Sequence, residues 1–151
     1  MGGGGGNFVL RGGRVIKQPG DGSCLFHSLA YGISGGTASR GAASSLRREI
    51  CQYMASNADL VIADSPLRDW IKWESNISVR AYARRMSRGG WGGAIEMAAC
   101  SHLKNINVHV YERAGRRGGF KRISCFDRPG SHRTVHILYG GRVHYDALVP
   151  P

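Results

Sequence analysis

Apolar positions recur with two periods along this chain, and the change of period divides it. Leu25, Phe26, Leu29, Ala30 and Ile33 fall three and four apart, as on one face of a helix. Leu46, Ile50, Tyr53 and Met54 repeat the pattern, which leaves Arg47, Arg48 and Gln52 on the opposite, solvated face. Between them, Ser34 to Ser45 is rich in Gly, Ser and Ala and reads as a loop. Asp64-Ser65-Pro66 offers a cap and a proline for a short helix through Trp70, with Trp70 and Trp73 expected in the core or, where exposed, able to touch a protein partner. Ser78 caps a further helix carrying Val79, Tyr82, Ala83 and Met86, and Gly89-Gly90 ends it. Ile95, Ala98, Ala99 and Leu103 would face inward from another, with Glu96 in its first turn as a capping or buried structural carboxylate.

The period then falls to two. Ile106, Val108 and Val110 alternate along the clearest strand, and Phe120 to Phe126 supplies its partner across the basic turn Arg113 to Gly119. Asp127 to Arg133 reads as a loop. Two runs rich in β-branched and aromatic residues, Thr134 to Tyr139 and Arg142 to Leu148, flank Gly140-Gly141, a strong signal for a two-residue hairpin turn. Phe8-Val9-Leu10 and Val15-Ile16 add short edge structure. A helical first half followed by three or four mainly antiparallel strands is an α+β arrangement.

Composition narrows the class. The chain has 151 residues, enough for one domain with a real core. Residues 1–6 read as a flexible glycine-rich tail and the domain as residues 7–151. No apolar run approaches the roughly 20 residues of a membrane span. Cys24, Cys51, Cys100 and Cys125 lie far apart with no CxxC pair, which argues against a zinc ribbon or a redox motif. Two disulfides are open on paper, but no secretion signal supports them, and reduced thiols in an intracellular protein are expected. His102, His109, His132 and His136 show no recognised metal-ligand spacing, although His109 and His136 can meet in a sheet. No metal and no cofactor is expected. The formal charge of +11 favours acidic partners and leaves nucleic acid open as a partner, but no nucleic-acid motif accompanies it.

Chemistry concentrates at the two ends. In Pro19-Gly20-Asp21-Gly22-Ser23-Cys24-Leu25-Phe26 a glycine-rich loop turns into a helix with Cys24 at the joint. Unpaired N–H groups and the helix dipole there favour a thiolate, the nucleophilic form, and can also hold an oxyanion. At the far end, His144 and Asp146 are two apart on a strand and so share a face. Asp146 can then orient the imidazole. A nucleophile, a base and an orienting acid make up the general pattern of covalent catalysis.

Asp21-Gly22-Ser23-Cys24-Leu25-Phe26 resembles the active-site segment of the ovarian-tumour (OTU) domain cysteine proteases. Val143-His144-Tyr145-Asp146-Ala147-Leu148 is similar to their C-terminal histidine segment, and Trp91-Gly92-Gly93-Ala94-Ile95-Glu96-Met97-Ala98-Ala99 resembles their Trp-Gly-Gly helix start. The three occur in the family's order and span most of the chain. The resemblance implies a papain-like fold and hydrolysis of isopeptide bonds in ubiquitin or ubiquitin-like conjugates, by a monomer in the cytoplasm or nucleus. Cys24 would be the nucleophile and His144 the base. Asp146 would orient His144, while Asp21 would shape the oxyanion loop or share the orienting role. The alternative is a basic nucleic-acid or protein-binding module on an inactive protease scaffold.

Overall fold

The computed structural model describes residues 3–4, 8–37, 39–115, 118–141 and 144–151. Among them the chain runs β1 (Gly3–Gly4), β2 (Val9–Arg11), β3 (Arg14–Ile16), α1 (Cys24–Ile33), α2 (Ala42–Ser56), β4 (Val61–Ile62) and β5 (Ser65–Pro66). It continues with α3 (Leu67–Ser75), α4 (Val79–Arg88), α5 (Ala94–Lys104), β6 (Asn107–Ala114), β7 (Gly119–Phe126), β8 (Thr134–Gly140) and β9 (His144–Val149). Helices precede most of the sheet, as the change of period requires, and the fold is α+β.

One sheet carries the order β1-β7-β6-β8-β9-β3, with β2 also on the outer edge of β7. Its pairings are antiparallel except β6 with β8, which run parallel because the 127–133 loop returns the chain to the end where β6 begins. The sheet is therefore mixed rather than wholly antiparallel. One face meets the helices: Val108, Val110, Val135, Ile137 and Tyr145 share a core with Leu25, Phe26, Leu29, Ile50, Met54 and Ile95. The other face holds a small second cluster of Tyr111, Phe120, Leu138 and Leu148.

Several boundaries differ from those the sequence pattern predicts. α2 starts at Ala42, inside the stretch that reads as loop, because Ala42 to Ser45 hold no glycine or proline and extend the helix back to Gly41 at its N-cap. α3 runs to Ser75 and stops where Asn76 takes a left-handed conformation (φ 53°). Trp73 on it is exposed, whereas Trp70 is half-buried and donates its indole N–H to the Ile62 carbonyl at 2.7 Å. Gly140 pairs with His144, so it belongs to β8 and the reversal begins at Gly141 instead of occupying Gly140-Gly141. Arg142 and Val143, Arg116 and Arg117, and all of the glycine tail except Gly3 and Gly4 lie outside the described residues. The backbones of Gly3 and Gly4 pair with Cys125 and Ser124. The Ser78 cap is present, its hydroxyl oxygen accepting the Ala81 N–H at 3.1 Å.

Candidate active site

Cys24 is the first residue of α1, as the glycine-rich loop before it implies. α1 packs along β9 and also touches β8, so the helix that begins at Cys24 and the strand that begins at His144 belong to one packed unit. Gly92 permits this packing to close. A Cβ at that position would lie 2.8 Å from Leu25 Cδ2 and 3.0 Å from the Phe26 ring, so any larger residue would push on the first turn of α1. Cys24 itself is only 1% exposed. The sequence pattern predicts a thiol at an open surface cleft; packing of its own helix start against the core buries it instead.

His144 Nε2 and Asp146 Oδ1 lie 2.9 Å apart, the geometry expected from their same-face spacing. The Gln18 backbone N–H also donates to Asp146 Oδ1, at 2.8 Å. Pairing of β3 with β9 brings Gln18 there: Ile16 is opposite Ala147, and the chain then passes Asp146 on its way to the cysteine loop. Asp146 is thus braced from the backbone, with its side chain 14% exposed.

Asp21 does different work. Its Oδ1 accepts the Ser23 N–H at 2.9 Å, its Oδ2 stands 3.5 Å from His27 Nε2, and its carbonyl oxygen accepts the Cys24 N–H at 3.3 Å. The side chain is 57% exposed, and its contacts tie the loop to itself. Two of the N–H groups expected to face a substrate oxyanion are therefore turned toward Asp21.

Arg47 is the largest departure from the sequence pattern. It is 6% exposed and lies beneath the cysteine loop instead of on a solvated face. Its guanidinium donates to the Gly22 carbonyl oxygen at 2.9 Å and to Ser23 Oγ at 3.0 Å. It also donates to the carbonyl oxygens of Met86 at 2.8 Å and Gly90 at 3.0 Å, and it stacks 4.2 Å over the Phe26 ring. Met86 lies in the last turn of α4, whose carbonyls have no partner within the helix, so one planar fork caps that helix and grips the loop before Cys24. Burial lowers the Arg47 pKa, and the negative groups around it work in the opposite direction. The sequence does carry a signal for this burial: Ala43, Arg47, Cys51 and Met54 follow the helical repeat of the buried face.

Glu96 is a second buried charge-bearing group. Oε1 accepts the Gly93 N–H at 2.8 Å at the start of α5, and Oε2 accepts the Tyr82 hydroxyl at 2.7 Å. Desolvation raises its pKa to about 7, against those stabilising bonds. The structural role expected for Glu96 holds.

A family profile described as OTU-like cysteine protease matches residues 19–145. The chain belongs to the OTU-like cysteine protease family. The OTU resemblance carried by three short motifs therefore extends over most of the sequence. A curated relative, the ovarian tumor domain-containing deubiquitinating enzyme 4 of Arabidopsis thaliana, is 28% identical over 139 residues, which cover 89% of this chain and 43% of that protein. Ubiquitin thioesterase OTU1 of Rattus norvegicus is 32% identical over 131 residues, 86% of this chain and 34% of that protein. The OTU chain thus spans well under half the length of these relatives. Among solved structures, an OTU domain in complex with ubiquitin superposes with a TM-score of 0.65 at 24% identity, covering 95% of this chain and 70% of that one. The Hazara virus OTU bound to ubiquitin gives 0.70 at 21% identity, with 95% and 89% coverage. These two likenesses establish the OTU fold.

Proposed function

We propose that this chain is a deubiquitinase that cleaves isopeptide bonds of ubiquitin or ubiquitin-like conjugates through Cys24, His144 and Asp146. The observation that carries the reading is the His144–Asp146 pair, braced by the Gln18 N–H, on the strand that α1 packs against. Family membership and the ubiquitin-bound fold relatives support the substrate class.

With Nε2 engaged by Asp146, Nδ1 is the ring nitrogen left to take the Cys24 proton. The thiolate adds to the isopeptide carbonyl carbon, and the developing oxyanion takes N–H groups of the 21–24 loop from Asp21. The imidazolium returns the proton to the leaving lysine amine as the C–N bond breaks. Water, deprotonated by His144, then hydrolyses the thioester, which frees the ubiquitin carboxylate and restores the thiol. Asp146 holds the ring and stabilises its charged form, while Asp21 presets the loop. No cofactor enters these steps. The chain acts as an intracellular monomer; no described helix is long and apolar enough to cross a membrane.

A ubiquitin probe bearing a thiol-reactive C-terminus tests the proposal. Covalent labelling at Cys24, abolished in Cys24→Ala, is the expected result. Ubiquitin-chain hydrolysis that survives in Cys24→Ala would overturn it.

The rival reading, a basic binding module, has one observation in its favour. A cleft of about 560 Å³ between α2 and α4 is lined by Arg48, Arg80 and Arg84 with a single acidic residue, Glu49. Nucleic-acid binding through such a patch would fall steeply with salt. Tight, sequence-selective binding near physiological ionic strength, together with failure of the ubiquitin probe, would favour it.

A further inference from the structure

The second chemically armed cluster of this chain is in the sheet, at the opposite end of β8 from its Gly140–His144 pairing. His109 on β6 is paired directly with Cys125 on β7. Asp127 follows Cys125 by two positions, so an extended chain returns its side chain to the same face. One donor atom from each of the three, an imidazole nitrogen, a thiol sulfur and a carboxylate oxygen, lies within 4.8 Å of the other two. His109 Nε2 and Asp127 Oδ1 are 2.7 Å apart. A donor near the end of one strand, a second just past that end and a third directly across on the next strand converge on a single point.

We propose that His109, Cys125 and Asp127 form a binding site for a divalent transition metal of borderline softness, with zinc as the probe ion. The donor set matches that class: sulfur and imidazole exclude magnesium and calcium, which take oxygen. Thiolate and carboxylate together neutralise a 2+ ion. Tetrahedral coordination with bonds of about 2.0 Å to N and O and about 2.3 Å to S puts donors roughly 3.3–3.6 Å apart. The site therefore forms by parting His109 from Asp127 by about 0.6 Å, to the roughly 3.3 Å of a tetrahedral N and O pair, and drawing Cys125 in. The three ligands leave a fourth position for water.

The surroundings suit a structural clip. Cys125 is 9% exposed and the His109 side chain 15%, while Asp127 is 61% exposed and gives the ion its way in. His136 is next to His109 in the parallel β6–β8 register, with ring centroids 5.8 Å apart. Its Nδ1 is engaged with the Tyr111 hydroxyl at 3.1 Å, which fixes the ring that His109 rests against. Arg122 acts on Cys125 as a positive charge, which favours the thiolate, and its guanidinium lies over the Phe8 ring at 4.6 Å. A bound ion would pin the end of β7, and the loop that leaves it, to β6.

The test uses the full chain carrying Cys24→Ala, so that the active-site thiol cannot contribute. Equilibrium dialysis against zinc should give one bound ion per chain at micromolar concentration. Substitution with Co(II) should show a sulfur-to-cobalt charge-transfer band together with intense tetrahedral d–d bands. Cys125→Ser should erase the charge-transfer band, and His109→Gln and Asp127→Asn should each weaken binding by at least about tenfold. Asp127 is at the surface, so its variant folds irrespective of the outcome, and circular dichroism checks the other two. Absence of stoichiometric zinc, or a cobalt spectrum unchanged by Cys125→Ser, would overturn the proposal.

Discussion

Arg47 Nη2 lies 2.9 Å from the carbonyl oxygen of Gly22, two residues before Cys24. The same guanidinium holds the end of α4, so the loop that positions the cysteine is fastened to a helix remote in sequence. Arg47→Met keeps the apolar stem and leaves four acceptors without their cation, the buried Met86 carbonyl among them. It should cost about 3 kcal/mol of stability and lower turnover even at temperatures where the chain is fully folded. Arg47→Lys retains the charge and loses the planar fork, and should fall between. Urea unfolding with kcat and KM on a fluorogenic ubiquitin substrate separates the two effects. A variant with normal kcat once folded would remove Arg47 from the positioning of the loop.

Asp146 and Asp21 should part company under substitution. Asp146 Oδ1 alone accepts from both His144 and Gln18, and an asparagine oxygen can keep both bonds. Asp146→Asn is expected to stay within about tenfold of wild type in kcat/KM, and Asp146→Ala to lose about 100-fold or more with a changed pH profile. Asp21→Ala frees the Ser23 N–H and loosens the loop, which lowers the rate with little change in that profile. If Asp21→Ala alters the pH profile while Asp146→Ala does not, the orienting acid is Asp21.

Glu96 gives stability a pH dependence of definite sign. Its folded-state pKa, about 7, is above the ordinary 4.5, so the native chain binds the extra proton between those values. That contribution is fully present below about 4.5 and is lost as pH rises through about 7. From about pH 5 to about pH 8 the wild type should lose about 2 kcal/mol more than Glu96→Gln does, since a tenfold difference in proton affinity is worth about 1.4 kcal/mol. Glutamine keeps the Gly93 bond and lets the Tyr82 oxygen accept. Parallel pH dependences of urea unfolding in the two proteins would contradict the assignment.

Gly92→Ala should destabilise the chain by about 1–3 kcal/mol, the usual range for overpacking. The added methyl meets Leu25 and Phe26, so the strain falls on the first turn of α1. Activity should drop further than stability alone explains, because Cys24 begins that turn. Activity measured well below the melting temperature decides the point. Unchanged kcat would mean that the turn relaxes without moving the sulfur.

What the sequence discloses and what it hides follow from the range of the interactions. α1, α4 and β6 are legible because each writes its own period or cap within a dozen residues: Leu25 to Ile33, Ser78, Val108 and Val110. The His144–Asp146 pair is legible because two-residue spacing on a strand fixes the face. Arg47 escapes a local reading because its charge points to exposure, whereas its position on α2 obeys the buried repeat and its partners are 24 to 43 residues away. The burial of Cys24 and the bracing of Asp146 by Gln18 also depend on contacts across the chain, which local pattern does not contain. The hairpin after Tyr139 starts one residue later than its motif implies: Gly140-Gly141 matches a turn, while cross-strand register assigns Gly140 to the strand.

The pairing of β3 with β9 has a consequence for the order in which the molecule comes into being. Cys24 and His144 are 120 positions apart, and the Gln18 N–H that braces Asp146 precedes both in the chain. β9 lies between β8 and β3, so it joins two strands whose chain segments are already made, one of them upstream of the cysteine loop. On the proposed mechanism, synthesis delivers the Cys24 thiol before the His144 imidazole exists, and the nucleophile meets its base only when β9 takes its place in the sheet.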